Sequence, residues 1–230
     1  MRKIKWWIAL PLLVFAALLA FSLTRQTAPR NTFVIPDHIL ICLDAGHGGD
    51  DPGAVLGDRQ EKDDNLRMAL AVRDKLESHG FENLSVMLTR EDDTELELQQ
   101  RVEIANHANA TLFISIHRNS GGGQGIETWI SAEALQPETR LATYIQEGLA
   151  AIPMVKDRGV KSGNASNPLA SYYVVGNTDM PACLVELGFL DNVDDLVLFE
   201  AAFDDYAAAI ADGILQMVKL TGQHIHLGVP

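Results

Sequence analysis

Four residues combine a reactive type with a telling position: His47, Glu61, His117 and Glu186. Two imidazoles and one carboxylate are ligand types that a catalytic zinc ion takes, with a fourth place left for water. An ion held by His47, Glu61 and His117 would acidify that water and polarise a carbonyl. The reaction would still need a base for the water and an acid for a leaving amine. Glu186 stands in an otherwise apolar run, residues 182–190, where a glutamate asks for an explanation. Partial burial would lift its carboxyl into the range useful for proton transfer. Taken singly, a histidine after a strand is more often structural or exposed. Only the set of four together points to a site.

Hydrophobic spacing supplies the elements that must position them. Residues 39–43 are a short apolar run, expected as a buried strand, and lead into the glycine-rich stretch Asp44-Ala45-Gly46-His47-Gly48-Gly49. Residues 63–79 read as a helix, with Leu66, Ala69, Val72 and Leu76 in one stripe and Gly80 as its C-cap. Strands are expected at 84–88, 112–117, 125–130, 171–175 and 182–186. Helices are expected at 95–109, at 137–151 behind Pro137, and at 203–219. Strands alternating with helices imply an α/β domain around a mainly parallel sheet. In such sheets functional residues gather beyond the strand C-termini. That rule selects His47 after the first strand, Glu61 before the first helix, His117 after the third strand and Glu186 at the end of a late one.

At these residues the sequence resembles the zinc-dependent, type-3 N-acetylmuramoyl-L-alanine amidases. Leu43-Asp44-Ala45-Gly46-His47-Gly48-Gly49, followed by Asp51-Pro52-Gly53-Ala54, is similar to the family's opening motif. Glu61-Lys62-Asp63 with Asn65-Leu66 matches the segment bearing the glutamate ligand. Leu88-Thr89-Arg90, Arg101 and Ala105-Asn106 resemble the middle landmarks, and Ser115-Ile116-His117-Arg118-Asn119-Ser120 the second histidine motif. Arg158-Gly159-Val160-Lys161 and Pro181-Ala182-Cys183-Leu184-Val185-Glu186-Leu187-Gly188-Phe189-Leu190 resemble the late motifs. The resemblance runs over residues 39–217. It implies a single sheet of about six strands flanked by helices, with Zn2+ on His47, Glu61 and His117 and Glu186 as the catalytic glutamate. The bond cut would be the amide between N-acetylmuramic acid and L-alanine of the peptidoglycan stem peptide. The small chain with an export segment resembles the spore-cortex type. No inserted helix of the kind that blocks the site in regulated relatives is visible, which implies an open cleft. Arg118 fills a variable place in its motif: a guanidinium there could meet a substrate carboxylate or lie on the surface, and the surface reading is preferred. Residues 162–171 read as a polar loop near the site.

Composition agrees with this setting. The net charge is -13, yet Arg2, Lys3, Lys5, Arg25 and Arg30 are all basic and no acid precedes residue 31. The rest of the chain is therefore more acidic still and would repel a polyanion, which excludes nucleic acid as substrate. The uncharged run 6–23 behind a basic start reads as an export signal or an uncleaved membrane anchor, placing the remainder of the chain outside the cytoplasm. Residues 1–30 are thus expected as leader and linker, in contact with the membrane, and residues 31–230 as the catalytic domain. Targeting then rests on that segment or on an activating protein partner. Cys42 and Cys183 fall in apolar runs and are expected as buried thiols, with a bridge left open if their strands are neighbours. His224 and His226 are read as tail. The competing function is a non-catalytic wall-binding or regulatory module of the same fold.

Overall fold

The computed structural model describes residues 33–223. The leader expected over residues 1–30 and the His224/His226 pair lie outside the described residues. Among the described residues no helix is long and apolar enough to cross a membrane. The elements run β1 (Ile39–Ala45), β2 (Val55–Leu56), β3 (Arg59–Gln60), α1 (Glu61–Ser78), β4 (Leu84–Leu88), α2 (Leu98–His107), β5 (Leu112–Asn119), β6 (Ile126–Ile130), α3 (Gln136–Ala150), β7 (Asp157–Ser162), α4 (Tyr173–Gly176), β8 (Ala182–Phe189), α5 (Val193–Ala201) and α6 (Phe203–Gln223).

Six strands form one sheet in the order β4-β1-β5-β8-β6-β7, beside a small β2-β3 hairpin. Every pair in the six-stranded sheet is parallel except β6 with β8. The α/β expectation and its mainly parallel sheet hold. The β2-β3 hairpin and α5 add to the elements read from the sequence, and two further differences bear on the sheet. The apolar spacing predicts a strand over residues 171–175, but Tyr173–Gly176 is a single helical turn. The apolar pair behind that expectation, Val174 and Val175, packs beside Val102 and Ala105 of α2 instead of joining the sheet. The sixth strand is β7, whose sequence Asp-Arg-Gly-Val-Lys-Ser carries no apolar alternation.

Alternation along the strands sorts the side chains onto two faces. Ile41, Leu43, Ile114, Ile116, Val185 and Leu187 point to one face, covered by α1, α3, α6 and Phe199 of α5. Cys42, Phe113, Leu184 and Trp129 point to the other, covered among the described residues by α2 and α4. Asp44, His117 and Glu186 lie on strands at the same parity as this second set. The thinly covered face is thus the one that carries the polar row. The two cysteines are free and buried, and they belong to opposite faces. Their strands, β1 and β8, are separated by β5. Two strand spacings amount to about 10 Å, beyond the reach of a disulfide.

Candidate metal centre

The chain leaves β1 at Ala45 and turns at once. His47 sits at φ +62, a left-handed conformation that a non-glycine residue adopts only when its surroundings enforce it. They do so here: Arg101 Nη2 donates to the His47 carbonyl at 2.8 Å and Arg101 Nη1 to that of Ala45 at 2.7 Å. Arg90 adds Nε to the Ala45 carbonyl at 2.9 Å and Nη2 to that of Gly46 at 3.0 Å. Beneath them Asp44 is fully buried and accepts from Thr89 Oγ1, Ser115 Oγ and Arg101 Nη1 at 2.7, 2.7 and 2.9 Å. Burial works against its charge, but Arg101 and the two hydroxyls outweigh that and hold the carboxyl below its ordinary range.

Glu61 is the first residue of α1, whose first turn also carries Asp63 and Asp64, where the helix dipole favours acids. Its Oε2 accepts from Ala54 N at 2.8 Å, and its Oε1 from Arg118 N at 3.1 Å and Asn65 Nδ2 at 3.2 Å. The same Oε1 lies 2.9 Å from His117 Nδ1 and 3.2 Å from His47 Nε2. The two imidazole rings meet edge to face at 5.0 Å. Two glycines make this closeness fit. A Cβ on Gly46 would fall 2.2 Å from His117 Cε1, and one on Gly53 would fall 2.6 Å from Glu61 Oε2.

One ligand atom from each of His47, Glu61 and His117 lies within 4.8 Å of the others, a group able to hold a metal ion. The other nitrogen of His47, Nδ1, faces Asp51 Oδ2 at 2.7 Å. That contact orients the ring with Nε2 toward the cluster, as an outer carboxylate does for a ligating histidine. Burial disfavours a charge on His47, but Glu61 and then Asp51 outweigh it and raise the imidazole to about 9. Against the same burial penalty, His117 and His47 push Glu61 well below the usual carboxylate range.

Glu186 is the register partner of His117 in β5 and of Glu127 in β6. Burial raises its carboxyl to about 7, with His117 pulling down and Glu61 and Glu127 pushing up. Among the described residues its Oε2 is buried without a hydrogen-bond partner, while the residue itself borders a cleft. All four sequence-selected residues border one cleft of about 570 Å³, whose rim also carries the exposed Leu98 and Tyr173.

Arg118 departs from the preferred surface reading. Its side chain is buried, with Nη1 on Asp64 Oδ2 at 2.8 Å and its guanidinium 4.0 Å from the centre of the Phe199 ring. It faces the core between α1 and α5, because on β5 it alternates with His117. Asp64→Asn would leave this buried cation without its carboxylate. Unfolding titrations should show a loss of about 3–5 kcal/mol; a change below about 1 kcal/mol would mean that water reaches Arg118. Sequence reasoning also missed Asp51 and Glu127. Glu127 had the same signal as Glu186, a carboxylate inside an apolar strand.

Residues 41–216 match the family described as N-acetylmuramoyl-L-alanine amidase. The chain is 39% identical over 185 residues to N-acetylmuramoyl-L-alanine amidase CwlM of Bacillus licheniformis, spanning 80% of this chain and 70% of that protein. It is 31% identical to the germination-specific N-acetylmuramoyl-L-alanine amidase of Bacillus subtilis, spanning 94% of this chain and 95% of the relative. The CwlD amidase from Clostridioides difficile, solved in complex with the GerS lipoprotein, superposes with a TM-score of 0.69. That structure is 32% identical and spans 80% of this chain and 100% of its own.

Proposed function

The chain belongs to the N-acetylmuramoyl-L-alanine amidase family, and from that we propose that His47, Glu61 and His117 hold a catalytic zinc ion while Glu186 moves the protons. The enzyme is a peptidoglycan hydrolase acting on the amide between N-acetylmuramic acid and the L-alanine of the stem peptide. One observation carries the site assignment: three ligand atoms converge beside a buried carboxylate with an unpartnered oxygen. Two imidazoles and a carboxylate suit zinc, and Asp51 already holds His47 in the orientation a ligand needs.

When bound there, zinc supplies a Lewis acid that polarises the scissile carbonyl and acidifies the attacking water. Glu186 takes one proton from that water on its carboxylate as the new C–O bond forms. It returns the proton to the alanine nitrogen as the C–N bond breaks, so the amine leaves neutral. Arg90 and Arg101 keep the His47 turn fixed, and Gly46 and Gly53 let the backbone close on the ligands.

The substrate lies outside the cytoplasm, and residues 1–30 are proposed to export the domain or tether it to the membrane. A protein partner is proposed by analogy with the C. difficile amidase that is paired with a lipoprotein. The spore cortex is the setting that the germination-specific relative suggests. The zinc-loaded chain incubated with purified peptidoglycan should expose new N-terminal L-alanine while leaving the glycan intact. New amino termini within the stem would make it a peptidase. No cleavage at all would favour the non-catalytic module.

A further inference from the structure

β7 is the edge strand next to β6, and it carries Arg158 and Lys161. Residues three apart on a regular strand point to opposite faces. Here the pairing slips by one residue: Ile126 lies opposite Asp157, but Thr128 lies opposite Val160. Gly159, at φ +78, absorbs the extra residue as a bulge. Both cations consequently reach one atom. Arg158 Nε lies 2.5 Å and Lys161 Nζ 2.6 Å from Glu127 Oε2. Glu127 Oε1 is filled by Asn119 Nδ2 and Trp129 Nε1, each at 3.0 Å. Arg158 also rests on the Phe189 ring at 5.0 Å and Lys161 on the Trp129 ring at 5.2 Å.

Two cations on one carboxylate leave a positive charge, and each side chain is 31% exposed. Arg158 spends only Nε on Glu127, and among the described residues its two NH2 groups remain for a ligand. The location matters as much as the charge. His117, Glu186 and Glu127 are successive register partners across β5, β8 and β6. Asn119, which bonds Glu127, borders the catalytic cleft. With strands about 4.8 Å apart, the cation pair lies about 5–10 Å from Glu186 along the row.

We propose that Arg158 and Lys161, held in place by Glu127, form a carboxylate subsite that reads the second residue of the stem peptide. The proposal rests on the amidase reading and adds its specificity. In the stem, the residue after L-alanine is a glutamate joined through its side chain, which leaves its α-carboxylate free unless it is amidated. That carboxylate lies about 6 Å from the alanine nitrogen, a distance that fits the spacing along the row. An arginine fork and a lysine already stacked and paired lose little freedom on gripping it. The peptide leg of the substrate therefore crosses β8 and β6 toward the β7 edge. The acidic rim at Glu95 and Glu97 is left to the other leg.

The test compares initial rates of stem release by the zinc-loaded chain on two peptidoglycans, one with glutamate and one with isoglutamine at the second position. The parent is expected to favour the glutamate wall by about tenfold or more. Arg158→Gln and Lys161→Gln should bring the ratio toward one, and Lys161→Arg should keep it. Because each preparation meets both walls, a misfolded fraction cancels in the ratio; if one glutamine variant is inactive, the other decides. Equal parental rates, or a ratio unmoved in the glutamine variants, overturn the subsite while the amidase stands. Release from neither wall by the parent overturns the amidase reading, and the subsite with it.

Discussion

Glu186→Gln is expected to slow stem-peptide release by about 10²–10⁴-fold, the usual contribution of a positioned acid–base group, with the zinc content unchanged. Glutamine keeps the shape of the side chain but cannot take a proton from water. The carboxylate it replaces is buried, raised to about 7, and has one oxygen unpartnered. A variant within threefold of the parent would assign the proton transfer elsewhere. Stability gives an independent reading. A carboxyl raised from 4.5 to about 7 binds its proton more tightly in the folded state. Its contribution is fully present below pH 4.5 and is lost as pH rises through 7. In the zinc-free protein at pH 8, the glutamine variant should therefore be the more stable, by on the order of 3 kcal/mol. At pH 4 the two should converge. Urea titrations at both values would show it, and a gap that does not widen with pH would refute a buried, proton-loving Glu186.

Chelating the zinc is expected to abolish activity, and adding zinc back to restore it, with a strong pH signature. In the metal-free cluster His47 is raised to about 9 because Glu61 and Asp51 outweigh the penalty of burial. At neutral pH it is then an imidazolium between two carboxylates, and an incoming zinc ion must displace that proton. Apparent zinc affinity should rise about tenfold per pH unit up to about pH 9. Competition with a chromophoric chelator between pH 6 and 8.5 would measure the slope. A flat profile would show that His47 is neutral before the metal arrives. The same raised value means that metal-free stability from this group is fully present below pH 6.5 and fades as pH rises through 9.

The convergence of the candidate residues is more legible in the sequence than the elements around them. His47, Glu61, His117 and Glu186 could be picked out because an α/β sheet gathers polar residues at strand ends, and all four border one cleft. The strand–helix alternation was legible wherever an element buries a full face, as in β1, β5, β8 and α6. It failed at β7, where the inward contacts are made by Arg158 and Lys161 on a carboxylate and leave no apolar period to read. It failed again at Tyr173–Gly176, since a run of four apolar residues does not distinguish a strand from a buried helical turn. Arg118 reads as a surface residue because Asp64, which satisfies its charge, is 54 residues away in sequence. Such pairings are set by the fold and leave no trace in local spacing.

The placement of the two thiols has a consequence for life beyond the membrane. Burial pushes both Cys42 and Cys183 far above the ordinary thiol range, so neither is a ready thiolate for an oxidant or an exchange enzyme. Lying on opposite sides of the sheet with β5 between them, they also cannot join each other in the folded chain. The finished enzyme is therefore indifferent to the redox poise of its surroundings. Its resistance to unfolding must come from packing, without a covalent staple between the two.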